Sequence, residues 1–436
     1  MSAESGRKVS AMNVPNVYYV KQTFPRPQVI DIPAATNDAL LSLCVDQQIR
    51  SGQKIGITVG SRGIQNLLPI LRTTVDFIRG LGCEPFLLSA MGSHGGGSEN
   101  GQQEVLVSLG ITEEALGAKV LTCADCRILT HTLSGLPVFI VESAFMMDGI
   151  LVVNRVKTHT SFKGTVESGL TKMLVVGLGG PKGAQQFHGF IPGKLSRMLV
   201  EIGGTILENL PILGGLGIVE NAYEETAVVR GIESERLIVR EGELLQYSKS
   251  LMPSLPVDAI DLLIVQEIGK NISGTGMDTN IIGRTRIHGV PEPEIPSIKR
   301  IAVLDLSKES HGNASGLGMA DFTTQKLVNM IDRQATYLNC LTSTFVNRAA
   351  IPMYFDTEEK LVEAALFSLS AIPPDKLRIV IIRNTLFLME CFVSQALLPE
   401  LESRPGVIIN QEPHHFKFDS NGNLALKFVL LGVNAS

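Results

Sequence analysis

At 436 residues, with 44% hydrophobic and 19% charged side chains, the chain is long enough for two or three domains and too apolar for disordered bulk. A net charge of -5 gives no electrostatic footprint for a nucleic-acid partner. No apolar run reaches membrane-spanning length, residues 1–5 lack the basic-then-apolar pattern of a signal peptide, and the six scattered cysteines suit reduced thiols. A cytoplasmic protein with neither a membrane nor a nucleic-acid partner is expected, and a homo-oligomer is left open.

In chain order, residues 1–35 read as an irregular lead-in punctuated by Pro15, Pro25, Pro27 and Pro33. Asn37 can cap a helix over 38–50. A strand over 54–59 passes through Gly60-Ser61-Arg62-Gly63 into a helix over 64–80, where Leu67, Leu68, Ile70, Leu71, Val75 and Ile78 form one apolar stripe. A strand over 84–91 ends in Gly92-Ser93-His94-Gly95-Gly96-Gly97, and a helix over 98–109 follows. Strand, glycine loop and helix occur twice, the βαβα order of a parallel sheet. Further strands are expected at 119–121, 138–141 and 149–154, a helix at 194–210, and a hairpin or short strands over 218–240. Residues 251–258, with Pro253 and Pro256, read as a linker.

A second α/β run follows. Strands are expected at 261–265, 300–306, 351–355, 377–382 and 407–410, and helices at 320–331, 358–369 and 386–401. Asn421-Gly422 signals a hairpin between 415–418 and 424–429. The expected architecture is therefore α/β. Two domains, 1–255 and 256–436, with mainly parallel sheets, would face each other across an active-site cleft. The polar loop from Lys270 to Asp278 would line that cleft from the second domain and contact substrate or cofactor, an ordinary polar turn being the alternative.

Chemistry concentrates in residues 151–190. An apolar strand over 151–156 runs into Lys157, His159 and Lys163, at the strand end where open α/β sheets place ligands. Glu167-Ser168-Gly169-Leu170-Thr171-Lys172 comes next, then an apolar stretch and a glycine cluster over 177–183. Pro181 sits where a helix can begin, carrying His188 on its first turns. Residues 177–183 match neither the P-loop nor GxGxxG. Around His94, the backbone amides of Gly92, Ser93, Gly95 and Gly96 precede a helix and suit a phosphate or carboxylate, with a tight structural turn as the alternative. His94 has no bulky neighbour in sequence to bury it, so exposure to a cleft is expected. Cys123-Ala124-Asp125-Cys126 is a lone CxxC, for which neither zinc nor redox chemistry is expected.

Together these motifs resemble the nickel-dependent lactate racemase family, the nickel-pincer nucleotide racemases and epimerases, most strongly from Lys54 to His188. The resemblance aligns His94, in Met91-Gly92-Ser93-His94, with one catalytic base, and His159, in Lys157-Thr158-His159, with the second. Ser168-Gly169-Leu170-Thr171-Lys172 matches the Ser-Gly-x-x-Lys segment whose lysine carries the cofactor covalently. His188, sixteen residues beyond Lys172, matches the nickel-binding histidine. The resemblance implies nickel and a pincer nucleotide (a pyridinium thioamide or thiocarboxylate mononucleotide) attached to Lys172. It also implies racemisation or epimerisation of a 2-hydroxy acid. Histidine suits alternating proton transfer because its ordinary pKa of ~6.5 lies near neutrality. Nickel(II) in a planar field accepts soft donors plus one imidazole.

The chain departs from the lactate-specific pattern at Gly60-Ser61-Arg62-Gly63, which lacks an acidic partner, although Arg62 can still clamp a substrate carboxylate. The turn between His159 and Lys172 is longer, with Lys163 and Glu167 added, and the loop 270–278, His311 and Asn313 also differ. These changes point from lactate toward a bulkier or more polar hydroxy acid, a sugar acid or a dicarboxylate. Two alternatives stand beside this reading. One is a metal-free epimerase or dehydratase with two histidine bases, and the other is an inactive nucleotide- or organic-acid-binding protein.

Overall fold

The computed structural model describes residues 14–426 and residue 428. The leader reading at residues 1–5 and the end of the last expected strand at 429 therefore lie outside the described residues. The chain forms two compact units, one over Pro25–Met252 and one that joins the N-terminal segment to Pro253 and beyond. The strand Val17–Gln22 explains this division. It pairs antiparallel with Glu390–Ser394 on one side and with Val407–His414 on the other. The segment expected to be irregular is thus a strand, and it belongs with the C-terminal part of the chain rather than with the domain that follows it.

The unit over Pro25–Met252 is built on a six-stranded sheet. Its spatial order is Lys119–Leu121, Glu84–Ser89, Lys54–Val59, Gly149–Arg155, Ile212–Glu220 and Thr226–Glu233. All neighbours are parallel except the last pair. The four inner strands are buried on both faces, as the long apolar runs require. Alternation sends Leu151 and Val153 into one layer, with Ile70, Leu71, Val75 and Ile78 of the helix Leu67–Gly80. Ile150 and Val152 point into the opposite layer, with Leu174, Leu199, Ile202 and Ile206. Successive strands move outward in one direction from Lys54–Val59, and the chain then returns to place Gly149–Arg155 on the other side. That reversal creates a switch point at the carboxyl ends of these two central strands, where open sheets of this kind bind ligands.

The second unit holds an eight-stranded sheet. Its order is Met353–Phe355, Phe322–Thr324, Ser297–Leu306, Ala259–Ile268, Ile379–Ile382, Glu390–Ser394, Val17–Gln22 and Val407–His414. The first four pairings are parallel and the last three antiparallel. Among the described residues no helix is long and apolar enough to cross a membrane.

Several elements differ from the sequence reading. The helix expected over 38–50 is Ile32–Ser42, because Asp31 accepts from the Ala34 N–H at 2.9 Å and Pro33 occupies the first turn. Residues 320–331 contain the strand Phe322–Thr324 before a short helix, Gln325–Asn329. The helix expected over 386–401 is instead the strand Glu390–Ser394 and a short helix, Leu398–Leu401. Over 386–393 the residues are apolar apart from Glu390, too little pattern to separate strand from helix, and pairing with Val17–Gln22 decides the outcome. The strand Cys126–His131 and the helices Leu237–Ser250 and Arg333–Thr342 were not anticipated.

Candidate active site

The carboxyl ends of the central strands of the Pro25–Met252 unit carry most of the expected site residues. Ser61 and Arg62 follow Lys54–Val59, His94 follows Glu84–Ser89, and Lys157 and His159 follow Gly149–Arg155. A loop over 157–168 is closed at its neck by two backbone hydrogen bonds, Lys157 N–H to Ser168 O at 2.8 Å and Ser168 N–H to Lys157 O at 3.2 Å. Buried Glu167 holds the interior of the loop. Its carboxylate accepts from the His159 N–H at 2.7 Å and pairs with Lys249 at 3.0 Å and Lys163 at 3.6 Å. This closure turns His159 back over the segment that follows the neck.

That segment is Gly169–Leu178. A single α-turn, Leu170–Lys172, runs into a wider π-helical turn, Met173–Gly177, in which the Leu178 N–H donates to Met173 O at 2.8 Å. Such widened turns are uncommon and recur at functional sites. Here the turn places the Lys172 Nζ 2.8 Å from His159 Nε2. The loop carrying His94 docks on the same segment, because the Gly92 N–H donates to Gly177 O at 3.2 Å. Gly92 has φ +59°, and a Cβ there would stand 2.9 Å from Val176 O, so the docking requires glycine. His94 itself is exposed, and its Nδ1 is hydrogen-bonded to the Ser61 hydroxyl.

His188 is the last residue of the helix Gly180–His188, not on its first turns as expected, because the helix ends there. A helix carboxyl end carries partial negative charge and favours a cation. Rings connect it back to His159. His159 stacks on Phe162 with centroids 4.2 Å apart, Phe162 meets Phe187 edge-on at 6.0 Å, and Phe187 meets His188 at 5.7 Å. Burial first, and then the charge of Lys172, push the His188 pKa down to about 4. The ring is therefore neutral at physiological pH, the form that binds a metal.

The hydrogen bonds assign the His159 tautomer. The Ser161 N–H donates to His159 Nδ1 at 3.1 Å, so in a neutral ring the proton resides on Nε2. The Nε2–H then faces Lys172 Nζ, and a hydrogen bond forms only if the amine presents its lone pair. That form is reached as pH rises through the lysine's own lowered pKa. Burial, followed by the charges of Lys157 and Arg62, brings the Lys172 pKa down to about 8. A lowered lysine pKa makes the free base available at lower pH than usual. Acetylation of Lys172, read by peptide mass spectrometry, should level off once pH passes about 8. Ordinary lysines, with a pKa of about 10.4, should keep gaining reactivity.

His94, His159, Lys172 and His188 thus occur in one connected arrangement, with Arg62 and Lys157 adding positive charge. The remaining expected residues lie in the second unit. Lys270 Nζ donates to Asn339 Oδ1 at 2.7 Å and to Gly274 O, closing its own loop. Asp278 caps the short helix Thr279–Ile282 and accepts from the Asn280 N–H at 2.9 Å. Ser93, Gly95 and Gly96 continue the His94 loop, where the 3-10 turn Gly95–Gly97 leads into the helix Glu99–Ser108. Ser61, Glu167 and Glu220 were not anticipated as site residues. Glu220 pairs with Arg155 and accepts from the Gln65 N–H at 2.8 Å, tying the switch-point loops together.

The donor set bears on metal binding. Among the described residues no group of three or more His, Cys, Asp and Glu side chains is arranged to hold a metal. A nickel ion at His188 would need its other donors from an organic ligand, as a pincer supplies them. A neutral imidazole at His188 and an amine at Lys172 whose pKa is lowered to about 8 fit such a group.

Comparison with known proteins supports the fold. The lactate racemase apoprotein from Thermoanaerobacterium thermosaccharolyticum matches at a TM-score of 0.50 and 12% identity, over 84% of this chain and 94% of its own. A protein from Thermotoga maritima matches at a TM-score of 0.50 and 13% identity, over 75% of this chain and 84% of its own. No protein-family model matches the chain, and no curated protein sequence does. At these identities the chain shares a lactate-racemase-like α/β fold.

Proposed function

We propose that the protein is an isomerase, a racemase or epimerase of a 2-hydroxy acid, that works with a nickel-pincer nucleotide attached to Lys172. The observation that carries this reading is the 2.8 Å contact of Lys172 Nζ with His159 Nε2, close to a neutral His188. The fold shared with a lactate racemase supports it. Lys172 would bear the cofactor, His188 would ligate its nickel, and the backbone amides of Ser93, Gly95 and Gly96 would receive an anionic part of it, the Gly92 N–H being taken by Gly177 O. When bound, the group supplies an acceptor for the hydrogen on C2. Arg62, whose charge acts on Lys172 together with that of Lys157, would hold the substrate carboxylate.

His94 and His159 would exchange the hydroxyl proton, one for each enantiomer. Their surroundings make them unequal. The Ser61 hydroxyl can donate or accept, so His94 can present either a bare or a protonated Nε2. The Ser161 N–H only donates, so neutral His159 presents Nε2–H until that contact yields. The test is chiral chromatography of single enantiomers of 2-hydroxy acids, sugar acids and dicarboxylates incubated with protein from its native source. Appearance of the opposite configuration supports the proposal. Its absence across the panel, in protein shown to carry the cofactor, counts against it.

A further inference from the structure

Glu241 lies on the helix Leu237–Ser250, seventy residues beyond Thr171, and is 1% exposed. Its Oε2 accepts from the Thr171 N–H at 2.7 Å and from the Thr171 hydroxyl at 2.5 Å. Oε1 makes no hydrogen bond. Burial pushes the Glu241 pKa up to about 7, against the opposing effect of the Thr171 hydroxyl and N–H and then the Leu170 N–H. Oε1 rests against Gly169, where an added Cβ would stand 2.1 Å away. Gly169 has extended backbone, so space rather than conformation demands glycine at this point. On its other side, Asn154 Nδ2 donates to Gly169 O at 2.9 Å.

A buried carboxylate is costly unless it is hydrogen-bonded, and this one directs its bonds at the first turn of the segment that bears Lys172. The charges that act on the Lys172 amine are those of Lys157 and Arg62, with no contribution from Glu241. Its influence therefore passes through the backbone. We infer that Glu241 is a positioning residue: by gripping the N–H and hydroxyl of Thr171 it fixes the direction in which Lys172 leaves its turn toward His159. The inference rests on the reading of Lys172 as the reactive amine of the site.

The test uses the full chain without added cofactor. Acetic acid N-hydroxysuccinimide ester is supplied at mildly alkaline pH, and acetylation of Lys172 is followed by peptide mass spectrometry against the exposed Lys376 as internal standard. In the natural sequence Lys172 should react faster than Lys376. Glu241→Ala should lower the Lys172-to-Lys376 ratio about tenfold, the scale of losing hydrogen bonds to a buried charged group. Glu241→Gln keeps an acceptor for Thr171 and should restore the ratio to within about threefold of the natural protein, a rescue that generic core damage would not give. If Glu241→Ala fails to fold, Glu241→Asp, which withdraws the carboxylate by one methylene, should show the same loss. An unchanged ratio in the folded Ala or Asp variant overturns the inference, and so does a Gln variant as slow as Ala. Slow labelling of Lys172 in the natural sequence instead defeats the reading of that amine, and Glu241's role with it.

Discussion

Lys172→Arg is expected to give a folded protein that carries no cofactor and has lost racemisation by on the order of a thousandfold or more. Arginine keeps a positive charge and a similar reach, so binding of anions by charge alone would survive. Its guanidinium stays protonated at all working pH values and offers no lone pair, either for the His159 Nε2–H or for bonding a cofactor. The substitution therefore removes one chemical property while sparing charge and most packing. Circular dichroism should match the natural protein, intact mass should show no addition, and chiral assay should show no interconversion. Retained turnover would mean that the amine is not the attachment point.

The second large effect separates the three histidines. His188→Ala should cut nickel retention while the organic group still attaches at Lys172, because the lysine and its His159 contact are untouched. His94→Ala and His159→Ala should retain nickel and lose turnover, commonly by a hundredfold to ten-thousandfold for a general acid or base. The two enantiomers should respond differently, since His94 bonds to a hydroxyl that can reverse its role and His159 to an amide that cannot. Metal analysis and single-turnover rates in each direction read these effects. Loss of metal in His94→Ala together with retained metal and turnover in His188→Ala would reverse the assignment.

Local signals made much of the Pro25–Met252 unit legible in the sequence. The strand Lys54–Val59 stands between a polar turn and a glycine turn, and its apolar run is short enough to exclude a helix. Histidines and lysines at strand ends marked the stretch in which the structure sets Lys172 against His159. Partners far apart in the chain were not legible. Val17–Gln22 and Glu390–Ser394 become strands by pairing with each other, and neither segment shows that partner in its own residues. Glu241 grips Thr171 from a helix that was read in part as a hairpin, and no local pattern marks a buried glutamate as a support. Likewise, the end of the helix Gly180–His188 decided where His188 sits, and helix ends depend on what the chain meets next.

The central claim is that Lys172 carries a nickel-bearing organic group. Its most direct test is intact-mass and peptide mass spectrometry, paired with metal analysis, on active protein purified from its native source. The expected result is an added mass confined to the peptide containing Lys172, with nickel in proportion to the modified chain. Full activity in protein whose Lys172 is unmodified and which contains no nickel would contradict it.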